Sequence, residues 1–139
     1  NYVIIRTNFY GIDEKKYFLF SKILDELQHH KTIIGFNDIV FNPLEISNLS
    51  EMIYEISNTN FNGVINLASD DIMTKYDFCK KIINFYKLEQ KLLKKSSLQN
   101  MNFIANRPKN TSLSNKFAKQ IIKTPIVKYE DWLKKITSK

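Results

Sequence analysis

NRPKNTSLSNK, at residues 106–116, is the stretch of this sequence that decides its fold, together with VIIRTNFYG at residues 3–11. The first stretch is an Arg-Pro turn that leads through small polar residues into a predicted amphipathic helix. The second begins as a β-branched apolar run, which is typical of a strand buried on both faces of a parallel sheet, and then opens into a polar and aromatic loop. Because such a strand needs neighbours on both sides, we expect the fold to extend upstream of Asn1.

Between these two stretches, apolar runs of strand length alternate with apolar stripes at helical spacing. Strands are predicted at residues 2–5, 32–36, 39–41, 64–68 and 99–105. Helices are predicted at residues 14–29 with Asp13 as N-cap, from 48 with a capping box of Asn48 and Glu51, at 74–87, from 112 or 114 to 121, and at 129–136. The charged residues 88–95 predict a solvated extension or loop. This alternation indicates an α/β fold.

The composition predicts one folded domain in a reducing compartment. The chain has 139 residues, 43% of them hydrophobic, which suffices for one core but hardly for two. No apolar run approaches the roughly 20 residues that a membrane-spanning helix needs. The lone cysteine, Cys79, cannot form an internal disulfide and is predicted to fill the core. We therefore expect a cytoplasmic protein without a membrane partner.

The net charge of +7 raises the question of an acidic partner. A basic domain can bind nucleic acid, an anionic membrane or a phosphorylated small molecule. Here the lysines are spread over the chain, and the only arginines are Arg6 and Arg107. Base reading relies strongly on arginine, and most aromatic residues fall on apolar stripes, so the pattern argues against a nucleic-acid partner. A basic module that binds nucleic acid or an acidic partner without catalysis remains the alternative.

No catalytic residue and no metal site are predicted in this chain. Its three glycines are isolated, so they cannot form a glycine-rich dinucleotide loop or a P-loop. His29 and His30 are adjacent, point in different directions on a helix and lack a third ligand. We also expect the chain to lack a catalytic Tyr-x-x-x-Lys pair, which we place upstream of Asn1.

Four segments, in their order and spacing, resemble the C-terminal, substrate-binding part of the extended short-chain dehydrogenase/reductases. They are RTNFYG at residues 6–11, NPLEISNL at 42–49, GVINLAS at 63–69 and RPKNTSLSNK at 107–116. Within that family, the sequence resembles above all the dTDP-4-dehydrorhamnose reductase group of sugar-nucleotide enzymes. The resemblance implies late strands of an NAD(P)-binding Rossmann-type sheet plus a small mixed α/β substrate-binding domain. Residues 1–139 would then form a single C-terminal region without the cofactor-binding part.

The resemblance also implies an activity. The whole enzyme would bind NADP or NAD, mainly through the missing part, and transfer a hydride at a keto-sugar carbon. This reaction would serve deoxysugar and surface-polysaccharide biosynthesis, and the present chain would be inactive alone. A fragment of a sugar-nucleotide epimerase or dehydratase is the alternative within the family.

The implied ligand is a nucleotide-diphosphate sugar, and the resemblance implies which residues bind it. Asn8 and Phe9 would contact the substrate, and Thr7 the cofactor. Arg107, with Thr111 nearby, would bind the diphosphate, which suits a planar and permanently charged guanidinium. From the residues alone, Arg107 can instead pair with a surface carboxylate, and Phe9 can be ordinary core packing. Open sheet edges would also allow the chain to form a homo-oligomer.

Overall fold

The computed structural model describes residues 2–137, in which strands and helices alternate along the chain. The strands are β1 (Val3–Thr7), β2 (Phe9–Tyr10), β3 (Ile33–Phe36), β4 (Val40–Phe41), β5 (Leu44–Glu45), β6 (Gly63–Leu67), β7 (Met73–Thr74) and β8 (Leu93–Ser96). The helices are α1 (Leu19–Gln28), α2 (Ile46–Ser57), α3 (Lys75–Tyr86), α4 (Ala118–Ile121) and α5 (Tyr129–Thr137), with 3₁₀ turns at Gln90–Leu92 and Leu98–Asn100. The α/β prediction is confirmed. No helix of this part of the chain has the length and apolarity to cross a membrane.

The chain divides into two compact units. The first unit comprises Asn1–Tyr10, Asn42–Ile72 and Ser112–Lys139, and the second comprises Gly11–Phe41 and Met73–Thr111. Each unit is therefore built from segments that are distant in sequence. That residues 1–139 act as one substrate-binding region stays a prediction.

In the first unit, β1 pairs in parallel with β6, from Val3 opposite Gly63 to Thr7 opposite Leu67. One side of this pair carries a core from β5, α2, β6, α4 and the residue after α4: Leu44, Leu49, Met52, Ile56, Ile65, Leu67, Ala118 and Ile122. The other side is open, since Ile4 is 51% and Val64 43% exposed. The parallel pairing was predicted correctly. The predicted burial of β1 on both faces is wrong for the described residues, because they place no strand or helix over that side.

α2 begins two residues before the predicted capping box. Glu45 is the N-cap, and its carboxylate accepts a hydrogen bond from the Asn48 amide N–H at 2.9 Å. The side chain of Asn48 instead donates to the carbonyl of Pro125 at 2.9 Å and accepts from the amide of Val127 at 3.0 Å. The capping box of Asn48 and Glu51 is therefore wrong, because a tertiary contact uses the Asn48 side chain.

The predicted helix from residue 112 or 114 is reduced to the short α4. Asn42 is buried, and its side chain accepts from the Leu113 amide at 2.9 Å and donates to the Leu113 carbonyl at 2.8 Å. The side-chain Nδ2 of Asn115 donates to the carbonyl of Ala68 at 3.0 Å. These bonds hold residues 113–115 outside a helix, so only the end of the predicted helix forms.

In the second unit, α1 begins at Leu19 rather than at residue 14. Lys16 has a φ of 56°, which a right-handed helix cannot continue through. The Asp13 carboxylate accepts from the amides of Tyr17 at 2.7 Å and Phe18 at 3.1 Å. Asp13 therefore closes a turn ahead of the helix and is not its N-cap.

β3 pairs in parallel with β8, from Ile33 opposite Leu93 to Phe36 opposite Ser96. Residues 93–95, predicted as part of a solvated loop, thus belong to a strand. Its lysines are exposed, as is common on edge strands, and they hide the strand pattern. The predicted strand at residues 99–105 is wrong, because a 3₁₀ turn and irregular chain occupy this range.

α3 lies close against β3 and was predicted nearly to its ends. Thr74 is its N-cap, with its hydroxyl accepting from the Asp77 amide at 3.0 Å. A Cβ at Gly35 would lie 2.9 Å from the Cα of Tyr76, so only glycine fits at this approach. The buried face of α3 comprises Phe78, Cys79, Ile82 and Ile83.

Candidate functional site

The second unit contains a cavity of about 430 Å³, a size usual for small-molecule sites. Its apolar lining consists of Leu19, Ile23, Ile33, Ile34, Phe36, Ile39, Phe78, Cys79 and Phe103. Its charged lining consists of Lys22, Glu26, Lys75 and Arg107. With three cations and one carboxylate on otherwise apolar walls, the cavity suits a ligand that joins an anionic group to an apolar or aromatic one.

The periodicity of α1 explains one wall of the cavity. Leu19 and Ile23 are four residues apart and therefore lie on one face of the helix, as do Lys22 and Glu26 beside them. α3 and the chain after β8 also contribute to the lining. The cavity is thus a property of tertiary packing, which brings together segments about 85 residues apart in sequence, from Leu19 to Phe103.

Arg107 lies at this cavity with its guanidinium over the ring of Phe103, 4.8 Å from the ring centroid. No carboxylate of residues 2–137 forms an ion pair with it, so the alternative of a surface salt bridge is not what the structure has. Stacking on an aromatic ring orients the planar guanidinium and leaves its N–H groups able to donate. This arrangement is suited to binding an anion.

The segment that carries Phe103 and Arg107 is fastened at both ends. At its start, Asp38 accepts from the Ser97 hydroxyl at 2.7 Å and from the Leu98 amide at 2.9 Å. These bonds, that of Ser97 first, lower the pKa of Asp38 and keep it ionised. At its end, the Val40 amide donates to the carbonyl of Lys109 at 2.7 Å. The segment between these anchors is thereby held at the cavity.

Thr111 belongs to the second anchor rather than to the cavity lining. Its amide and its hydroxyl both donate to the carbonyl of Val40, at 2.9 and 3.2 Å. The hydroxyl predicted to bind substrate is therefore already engaged in fixing the chain after Arg107.

Lys75 is a cavity residue that the sequence analysis missed. Its ammonium lies over the ring of Phe41, with Nζ 3.6 Å from the centroid. Burial lowers the pKa of Lys75 to about 8, against an opposing effect of the neighbouring Cys79. The signal was present in the sequence, because Lys75 stands three and four residues before Phe78 and Cys79. That spacing places a cation on the apolar face of the helix.

Cys79 lines the same cavity and is inert by its surroundings. It is buried, and burial raises the pKa of its thiol to about 12. A thiol in this state is a poor nucleophile at neutral pH. The prediction that Cys79 fills the core is confirmed.

The remaining predicted site residues, Thr7, Asn8 and Phe9, lie in the first unit at the end of β1 and in β2. The Thr7 hydroxyl donates to the carbonyl of Asn8 at 3.3 Å, and that carbonyl also accepts from the Leu44 amide at 2.8 Å. Phe9 is 44% exposed, so its ring is not enclosed in a core. The enclosed aromatic residue is the next one, Tyr10, which packs edge-on against Trp132 with centroids 4.9 Å apart.

A Tyr-x-x-x-Lys spacing does occur in the chain, at Tyr76 and Lys80, although the sequence was expected to lack a catalytic pair of this kind. Both residues lie on α3, one turn apart. Neither lines the cavity: Tyr76 packs against β3 beside Gly35, and Lys80 is exposed. The structure gives this pair no catalytic surroundings. Among the described residues, no group of His, Cys, Asp and Glu could hold a metal ion.

In comparison with known proteins, the RmlD substrate binding domain family matches residues 1–139. Among curated proteins, none matches this chain. Solved structures of dTDP-4-dehydrorhamnose reductases from Bacillus anthracis, in complex with NADP, and from Clostridium acetobutylicum are each 18% identical, with a TM-score of 0.83. Each match covers 99% of this chain and 48% of the other. The enzyme WbmG of Bordetella bronchiseptica, in complex with NAD and UDP, is 12% identical over 98% of this chain and 42% of its own, with a TM-score of 0.74.

At these identities the structural matches establish the fold. The predicted fold class, that of the dTDP-4-dehydrorhamnose reductases, is confirmed. The chain spans about half the length of the structures that it matches.

Proposed function

The chain belongs to the RmlD substrate binding domain family, and we propose that it is the substrate-binding part of an NAD(P)-dependent dTDP-4-dehydrorhamnose reductase of the extended short-chain type. The observation that carries this proposal is the apolar cavity with Arg107 at its side and no carboxylate of residues 2–137 paired to that arginine. A nucleotide-diphosphate sugar matches this chemistry, because it joins an aromatic base to a diphosphate. The reaction would serve deoxysugar and surface-polysaccharide synthesis in the cytoplasm.

In the second unit, Arg107 would bind the diphosphate through paired hydrogen bonds. Thr111 would act through the chain that it fixes, since its hydroxyl is bonded to Val40. For the first unit taken by itself, we propose Asn8 and the half-exposed Phe9 as substrate contacts. Phe9 is suited to this role because a partly exposed aromatic ring can stack on the apolar face of a sugar ring.

The nicotinamide cofactor would be held mainly by residues outside this chain. Its three isolated glycines form no phosphate-binding loop, and the hydroxyl of Thr7, the predicted cofactor contact, already donates to Asn8. The residues of this chain could therefore contact at most one edge of a nicotinamide dinucleotide. When bound, that cofactor supplies the hydride. We propose that the chain alone binds substrate without reducing it.

Ligand binding to the two arginine variants tests this proposal. Titration calorimetry of the 139-residue chain should show binding of thymidine diphosphate and its sugar conjugates. Arg107→Ala should weaken binding by at least about tenfold, the usual cost of losing a charge-assisted hydrogen bond. Arg6→Ala is the matched control, because Arg6 is the other arginine and lies exposed on β1. Equal affinities of the wild type and Arg107→Ala would remove Arg107 from the site, and absence of all binding would overturn the proposed function.

A further inference from the structure

We propose that Lys75 is a second cation for the phosphate groups of the ligand in this cavity, acting beside Arg107. This inference rests on the proposed function and deepens it, since it assigns a binding role to a residue that the family resemblance did not indicate. It concerns the second unit alone, where both side chains line one cavity.

The position of Lys75 on α3 directs its side chain away from bulk solvent. Lys75 is the first residue of the helix, and Phe78, Cys79 and Ile82 follow at spacings of three, four and seven residues, all of them buried. A lysine on this stripe lies on the face that packs against the rest of the unit. Its Nζ reaches the face of the Phe41 ring at 3.6 Å.

The surroundings of this ammonium leave its charge incompletely compensated. Burial removes hydration from the charged form, and a cation–π contact restores only part of that loss. Among residues 2–137, no carboxylate lies within ion-pair distance of the Lys75 ammonium. An anionic group that enters the cavity would supply the missing partner. A site prepared in this way favours an anion, because the cost of burying the cation is met during folding rather than during binding.

Arg107 supplies the second, independent observation. It lies at the same cavity, also stacked on an aromatic ring and also without a carboxylate among the described residues. Two cations held by aromatic faces, at a cavity whose lining is mainly apolar, fit a diphosphate attached to a nucleoside. A ligand with a single carboxylate would leave one of them unmatched.

The test compares Lys75→Met with Lys80→Met in the 139-residue chain. Lys80 lies on the same helix but is exposed and does not line the cavity, so it controls for the loss of one positive charge. Calorimetry with thymidine diphosphate should show a loss of affinity of about tenfold for Lys75→Met and less than about twofold for Lys80→Met. Thymidine, which has no phosphate, should bind both variants as it binds the wild type.

The outcomes separate this inference from the proposed function. If the wild type binds thymidine diphosphate and Arg107→Ala weakens it while Lys75→Met does not, the role of Lys75 is overturned and the proposed function stands. If the wild type does not bind, both fail. Equal losses for Lys75→Met and Lys80→Met would also overturn the inference, since they would indicate a general effect of charge.

Lys75→Arg keeps the proposal testable if Lys75→Met does not fold. Binding of a diphosphate near pH 8 should take up protons in the wild type, because an anion beside a half-protonated amine favours its charged form. Lys22, Glu26, Cys79 and Arg107 also line the cavity and are unchanged in this variant. Proton uptake should therefore fall in Lys75→Arg, while affinity is kept. Uptake equal to that of the wild type would contradict the proposal.

Discussion

Glu55 shows at the scale of a single residue how this chain joins distant segments. Its carboxylate accepts from the amides of Lys123 at 2.7 Å and Thr124 at 2.8 Å, and from the Thr124 hydroxyl at 2.6 Å. These bonds, that of the Thr124 hydroxyl first, lower the pKa of Glu55. One side chain of α2 thereby fixes the chain that follows α4.

Glu55→Gln should lower the melting temperature at neutral pH and have less effect in acid. Because the folded-state pKa is depressed, the stabilisation is present above the unfolded pKa and is lost as the pH falls through the folded value. Melting curves of both proteins at about pH 7 and about pH 3 measure this difference. Glu51→Gln, one turn earlier and exposed, is the control. If the melting temperatures of the wild type and Glu55→Gln differ by the same amount at both pH values, the proposed link between the Glu55 charge and stability is contradicted.

Single residues also mark where the sequence was informative about the site and where it was not. Arg107 was selected through the family resemblance, and the structure places it at the cavity. Lys75 was overlooked, although its place on the apolar stripe of α3 was visible in the sequence. The role of Thr111 could not be predicted, because the bond of its hydroxyl to Val40 joins residues 71 positions apart.

At the scale of elements, the approach of α3 to β3 depends on one glycine. A Cβ at Gly35 would lie 2.9 Å from the Cα of Tyr76 and 3.0 Å from Cδ1 of Leu93. Backbone cannot yield as a flexible side chain can, so Gly35→Ala should reduce the free energy of unfolding by about 1–3 kcal/mol. Urea denaturation measures this change. Lys94→Ala, on the adjacent strand β8 and exposed, controls for alanine in this sheet. An unchanged urea midpoint for Gly35→Ala would contradict this prediction, since it would mean that α3 and β3 can move apart with little loss of free energy.

Elements were predictable where local patterns decide them. α3 and α5 carry apolar stripes, and α3 also carries its Thr74 cap, so both were found close to their observed bounds. β8 was missed because an edge strand rich in lysine lacks an apolar pattern. α1 was predicted too long because Lys16 has a left-handed backbone conformation, which interrupts a right-handed helix. This conformation is unusual for lysine, so the residue type does not predict it. The cavity depends on the pairing of β3 with β8 and on the packing of α1 with α3, so its walls could not be derived from single segments.

At the scale of the whole molecule, the charge of +7 is compatible with the proposed anionic ligand and does not require nucleic acid. The cations at the cavity have a local arrangement, whereas the other lysines are spread over the chain. We expect weak binding to random-sequence DNA that is lost at moderate salt, as for any basic surface without a specific nucleic-acid-binding site. Fluorescence anisotropy at two salt concentrations measures it. Tight binding that competes with thymidine diphosphate would instead favour the basic-module alternative.

The open side of β1 and β6 should make this chain associate with itself. Within residues 2–137, each of the two strands pairs with no strand except the other, and their apolar side chains Ile4 and Val64 are 51% and 43% exposed. Unpaired strand edges beside exposed apolar surface are a template for association between chains.

Ile4→Lys with Val64→Lys should therefore reduce the sedimentation-derived association constant of the chain, since a charge on this face must be desolvated when two copies meet. Ile72→Lys is the matched control, because Ile72 is 64% exposed in the same unit but lies outside both strands. Equal reductions by the double variant and the control would place the contact elsewhere on the surface. A monomeric wild type over the whole concentration range would contradict this prediction, since it would show that the open side is tolerated in water.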